Sequence, residues 1–133
     1  MNRSIGYVTF LVPDYDEAIA WFTDALDFAL IQDIALGDGK RWVLVAPPGT
    51  GGTRLVLAQP ADQPQRVRIG DQTGGRVFLF LHTDDFWRDH ALMTAKGVRF
   101  LETPRHESYG WVAVFEDIWG NRWDLLQLDE IAR

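Results

Sequence analysis

The hydrophobic and polar positions of this chain follow one plan twice. IGYVTFLVPDYDEAIAWFTDALDFALI, from Ile5, and VFLFLHTDDFWRDHALMTAKGVRFL, from Val77, each read as an apolar strand, an acidic turn, an amphipathic helix and a second strand. A 71-residue shift lays Asp14 on Asp85, Tyr15 on Phe86, Ile19 on His90, Phe22 on Met93 and Leu26 on Gly97. Tandem duplication explains this best. In the first half, Tyr7 to Val12 is almost wholly apolar, as a buried strand is. Asp14 then caps a helix, with Glu17 three residues on completing a capping-box-like pair, and Tyr15, Ile19, Phe22 and Leu26 form its apolar stripe. Strands are predicted at Phe28 to Ile34, Arg41 to Ala46 and Arg54 to Gln59, separated by GDGK and PPGTGG.

The polar, Gly- and Pro-containing stretch Pro60 to Gly75 reads as a connector. The second half repeats the order: a strand at Val77 to Leu81, a helix from Asp85 to Lys96 ended by Gly97, and strands near Val98 to Leu101, Trp111 to Phe115 and Arg122 to Leu128. Asp117 to Asn121 is expected to be a structural tight turn. The predicted class is α+β, with two βαβββ modules in a single domain: module one about 1–62, connector about 60–75, module two about 76–133. Neither half is expected to be stable alone.

Composition narrows the partners. At 133 residues and 47% hydrophobic, the chain suits one compact domain. A formal charge of -6 and a pI near 4.9 argue against nucleic acid or an anionic membrane and mildly favour cationic or neutral ligands. The absence of cysteine excludes disulfides, thiolate catalysis and zinc ribbons, leaving only His, Asp and Glu for any metal site. No signal-like run opens the sequence and no apolar stretch is long enough to span a bilayer, so the expectation is a cytoplasmic protein.

VPDYDEAIAWFTDALDF, KGVRF and FEDIWGNRWDLLQ resemble motifs of the vicinal oxygen chelate superfamily, which includes glyoxalases, bleomycin-resistance proteins and extradiol dioxygenases. The likeness runs from about Ile5 to Gln127. It implies paired sheets curving into a partly open cup with helices outside, and, with surplus apolar surface, a homodimer. The superfamily's metal enzymes place ligands on the first and fourth strand of each module. Here those positions fall on Tyr7, on Phe78 (or Val77 if the register slips by one), on Val56 and on Asp124. Such a set contains one carboxylate and no histidine, whereas a metal of this kind normally needs about three protein ligands. No metal and no cofactor are expected.

The remaining candidates are polar or aromatic. His82 shares strand parity with Phe78 and Phe80 and is weighed between an exposed strand end and a donor facing the cup. His90 reads as a packed, hydrogen-bonded helix residue and His106 as a solvated loop residue. Phe22, Phe28, Phe80 and Phe115 are assigned to the core. Trp42, Trp111 and Trp123 fall on strands and Trp119 in the turn, where packing competes with stacking on a ligand. Arg54 and Arg122 stand just before the fourth-strand positions and are either solvent-facing or aimed at a polar ligand group. The expected activity is metal-free binding of a small cationic or aromatic molecule, as in the bleomycin-resistance branch. A glyoxalase- or dioxygenase-like enzyme and a ligand-free interaction domain are the alternatives.

Overall fold

A computed structural model describes residues 1–49 and 51–130. Thr50, in the PPGTGG turn, and residues 131–133 lie outside the described residues. The chain divides into two compact units, Met1–Ile69 and Gly70 onward. The predicted connector therefore contributes to both units.

In the first unit, β1 (Tyr7–Leu11), α1 (Tyr15–Ala25), β2 (Ala29–Gly37), β3 (Lys40–Ala46) and β4 (Arg54–Ala58) build a mixed sheet of order β1-β4-β3-β2. β1 runs parallel to β4, with Tyr7 opposite Arg54 and Thr9 opposite Val56. The other pairs are antiparallel. Helix α1 begins as expected, with the Asp14 carboxylate accepting from the Glu17 amide at 2.7 Å. Because side chains alternate across a strand, Phe10, Leu57 and Val43 share the face that meets Tyr15, Ala18 and Phe22 of the helix, and all of these are buried. Phe22 stands edge-on to Phe10 and tilted against Phe28, at 5.3 and 5.2 Å between ring centroids. The predicted Phe28–Ile34 strand is longer than expected and ends at Gly37; it forms an exposed sheet edge. The connector also holds a short helix that periodicity could not reveal, α2 (Gln63–Arg66), capped by Asp62.

The second unit repeats the layout: β5 (Val77–His82), α3 (Phe86–Ala95), β6 (Arg99–Phe100), β8 (Gly110–Glu116) and β9 (Arg122–Leu128), in the order β5-β9-β8-β6. An additional strand, β7 (Arg105–Glu107), pairs with β8. Phe86 and Met93 of α3 and Ala113, Phe115, Trp123 and Leu125 of the sheet are buried on the helix side. Phe80 is the exception to the assigned core. It is 58% exposed because its register partner is Asp124, on the face turned away from α3.

One device is duplicated beyond the motifs. In each unit a glutamine just after the shared parallel pairing clamps the turn that precedes the helix. The Gln59 amide donates to the Pro13 carbonyl at 3.2 Å. In the second unit, the Gln127 amide donates to the Asp84 carbonyl at 3.1 Å while its Oε1 accepts from the Phe86 amide at 2.7 Å. Each clamp fixes the helix entry to the end of the strand beside it.

Candidate functional site

Each sheet has one face closed by its helix and a second, helix-free open face, on which Leu44, Val112 and Leu126 are nonetheless buried, and these open faces carry the sequence-predicted positions. In the second unit, Asp124 sits mid-β9 between Phe80 of β5 and Val114 of β8. Its neighbours Trp123 and Leu125 point to the core, so Asp124 points away from it. Asp124 Oδ1 is inaccessible to solvent and has no hydrogen-bond partner among the described residues. Burial pushes this carboxyl above the usual carboxylate range, with Arg105 pulling it down and Glu102 pushing it further up.

Arg105 cannot serve as a direct partner because two other acids hold it. Its Nε donates to Glu102 at 3.0 Å and its Nη1 to Glu107 at 2.6 Å. Glu102 is itself fixed: where the chain leaves the β8 ladder between β6 and β7, its Oε1 also accepts from the Val114 amide at 3.0 Å. Asp124 thus remains an unsatisfied, half-buried carboxylate beside an exposed phenylalanine ring.

The register resolves which first-strand residue corresponds to Tyr7. Between Val77 and Leu79 the β5–β9 pairing shifts, so Val77 lies opposite Arg122 as Tyr7 lies opposite Arg54. Phe78 falls in this bulge, and Phe80 flanks the fourth-strand position. His82 is an exposed strand end on the same open face, opposite Leu126, and lines a shallow hollow with Thr83, Asp84 and Leu128. Arg122 is solvent-facing, opposite Glu116.

On the open face of the first unit, Val56 occupies the position equivalent to Asp124, between Thr9 and Leu44. Tyr7 is 52% exposed, and its ring meets the edge of Trp42 at 5.9 Å. Trp42 Nε1 donates to Gln32 at 2.9 Å. Arg54 is half-buried and lines a cavity of about 350 Å³ with Ala29, Ile31, Ala46 and, from the β3–β4 connection, Pro47, Pro48, Gly49, Gly51, Gly52 and Thr53.

Two histidines differ from expectation. His90 is packed as predicted, 4.2 Å from the Phe100 ring and 5.7 Å from Phe86, but its Nε2 is buried with no hydrogen-bond partner among the described residues. That apolar setting pushes its pKa down. His106 is a strand residue of β7, stacked on Trp111 at 4.5 Å. Three residues are too few for a strand period to register.

The Asp117–Asn121 turn is structural, as expected. Asp117 Oδ1 accepts from the amides of Trp119, Gly120 and Asn121, and Oδ2 from the Asn121 side chain and Trp123 Nε1, all at 2.9–3.0 Å. Burial raises the Asp117 pKa against the pull of these bonds.

Among the described residues, no three His, Cys, Asp or Glu side chains converge as metal ligands. Nor is any helix among them long and apolar enough to cross a membrane.

Comparison with known proteins places this geometry. An uncharacterized protein of Shewanella frigidimarina (strain NCIMB 400) is 50% identical over 131 residues, covering 98% of this chain and 97% of that protein. The crystal structure of UcmS2 superposes with a TM-score of 0.81 at 28% identity, covering 95% of this chain and 98% of the other. TnmS3, an antibiotic binding protein from Streptomyces sp. CB03234, gives a TM-score of 0.76 at 29% identity, covering 96% and 98%. The model of the Glyoxalase/Bleomycin resistance protein/Dioxygenase superfamily matches residues 4–125. With the duplicated βαβββ units already described, that match shows that the chain belongs to this superfamily.

Proposed function

We propose that this protein binds a small cationic aromatic molecule on the open face of its second sheet, without a metal and without turning the molecule over. Asp124 carries the reading. A carboxylate oxygen withdrawn from water and left without a donor is costly. An ammonium or guanidinium group of a ligand would satisfy it with a charge-assisted hydrogen bond. Phe80, exposed at the adjacent register position, offers a ring for the ligand's apolar part. Likeness to an antibiotic binding protein supports a ligand of drug-like size. The excess of acid over base across the chain attracts cations to it. The active species is a homodimer, and the ligand enters without a cofactor.

The test compares 2-naphthylmethylammonium with the uncharged 2-naphthylmethanol by calorimetry. The cation should bind more tightly, and Asp124→Asn should weaken it about tenfold or more while leaving the alcohol unchanged. Equal losses for Asp124→Asn and the surface control Asp129→Asn would assign the effect to overall charge and refute the site. Binding should strengthen as pH rises through the Asp124 pKa, because only the ionised carboxylate attracts the cation.

A further inference from the structure

We infer that the first unit carries a separate site for a flat aromatic oxyanion, such as an aryl carboxylate, centred on Arg54 and the Tyr7–Trp42 ring pair. The site lies in a different unit from Asp124 and selects the opposite charge, so either can fail alone.

Three observations converge on it. Arg54 is the first residue of β4, half-buried, and no acidic side chain among the described residues pairs with its guanidinium. Arg41, Arg88, Arg99 and Arg105, by contrast, each hold at least one carboxylate within 3.0 Å. Next, Arg54 borders the cavity of about 350 Å³, whose other walls combine Ile31, Pro47 and Pro48 with the small Ala29, Ala46, Gly49, Gly51 and Gly52, and Thr53. A Cβ placed at Gly49, Gly51 or Gly52 would meet no described atom within 4 Å. Finally, register places Tyr7 beside Arg54 and Ile34 beside Trp42, while the Tyr7 and Trp42 rings touch. Tyr7 and Ile34 are 52% and 49% exposed. All four residues share the open face, as alternation along the strands requires.

The chemistry follows from that arrangement. An arginine without an acid offers a planar fork of donors suited to two oxygens of one group. The adjoining rings and Ile34 form an apolar shelf that favours a flat partner. Trp42 is held in place because its Nε1 donates to Gln32. An aryl carboxylate presents both features: charge for the Arg54 fork and a ring for the shelf.

Isothermal titration of the full chain with 2-naphthoate and the uncharged 2-naphthamide tests the assignment. Naphthoate should bind saturably and at least about tenfold more tightly than the amide. Arg54→Gln should remove that preference by weakening naphthoate alone, and Arg54→Lys should restore part of it. Trp42→Leu should weaken both probes. Arg66→Gln, which removes an exposed cation elsewhere in the same unit, is the charge control. No saturable binding of naphthoate overturns the inference, as do equal losses for Arg54→Gln and Arg66→Gln. Loss of naphthoate preference in Asp124→Asn would also overturn it, because the oxyanion would then depend on the other unit. Failure of the ammonium probe leaves this assignment standing.

Discussion

Between β8 and β9 the chain turns over residues 117–121 around one buried carboxylate, whereas in the equivalent connection between β3 and β4 the described residues, 47–49 and 51–53, line a cavity. The first is closed by five hydrogen bonds to Asp117 and by Trp123, which is itself core. The second contains two prolines and three glycines, and no side chain among its described residues is buried. Both descend from one repeated plan, so the contrast shows where each unit could change. The helix-facing layer, with Phe10 and Phe22 in one unit and Phe86 and Phe115 in the other, is held by close packing. The connections and the helix-free faces diverged: Val56 and Thr9 stand where the second unit has Asp124 and Phe80, while Arg54 and Arg122 stayed alike.

The largest effect should come from breaking the closed turn. Asp117→Ala strands three backbone amides and the Asn121 and Trp123 donors, and should cost about 3 kcal/mol or more in denaturant unfolding. Hydrogen exchange should show protection lost first in β8 and β9. Unchanged stability would mean that the turn, despite its bonds, does not hold the unit together.

A matched pair of glycine variants sharpens the same contrast. Gly51 and Gly70 have nearly the same φ, 78° and 74°, which L-residues rarely adopt. A Cβ on Gly51 meets open space, but one on Gly70 lies 1.9 Å from the Trp119 carbonyl oxygen. Gly51→Ala should therefore cost about 1 kcal/mol, the backbone term alone. Gly70→Ala should cost about 2 kcal/mol more, because the segment must lift away from the turn it covers. Equal costs in thermal unfolding would show that the Gly70 contact relaxes freely.

How much of this was legible depended on length and on which face a residue takes. The α1 and α3 helices, the Asp14 cap and strands such as β1, β3, β8 and β9 are long enough for periodicity to mark them, whereas the two-residue β6 is placed by the repeated plan. β7 and α2 are too short to do so. Phe80 lies outside the core to which its apolar strand assigns it, because such a strand does not announce which face meets the helix, and the Val77/Leu79 bulge changes parity invisibly in the sequence. The absent partner of His90 Nε2 is likewise a three-dimensional fact, set by Phe86 and Phe100 closing around the ring. Of the candidate positions, Asp124 is legible as the one acid among them. Its unsatisfied oxygen is not, because Arg105 arrives on β7, a strand the pattern does not show, and Glu102 in the connection before it.

The smallest expected effect concerns stability at Asp124 itself and bears directly on its difference from Val56. Burial raises the folded-state pKa of Asp124 above that of a free aspartate carboxyl. A group whose pKa is raised on folding favours the native state when protonated, so its contribution is fully present below about 3.8 and is lost as pH rises through the folded value. Asp124→Asn removes that loss by being neutral at every pH, and Asp124→Val reproduces the apolar residue of the first unit. Both variants should melt higher than the parent at pH 7, by less than either turn variant lowers it, and the gain should shrink toward zero near pH 3. In calorimetric melts across that range, a gain independent of pH would trace to packing rather than ionisation. A fall in melting temperature at pH 7 would mean that Asp124 already has a partner in the folded protein, removing the observation on which the cation site rests.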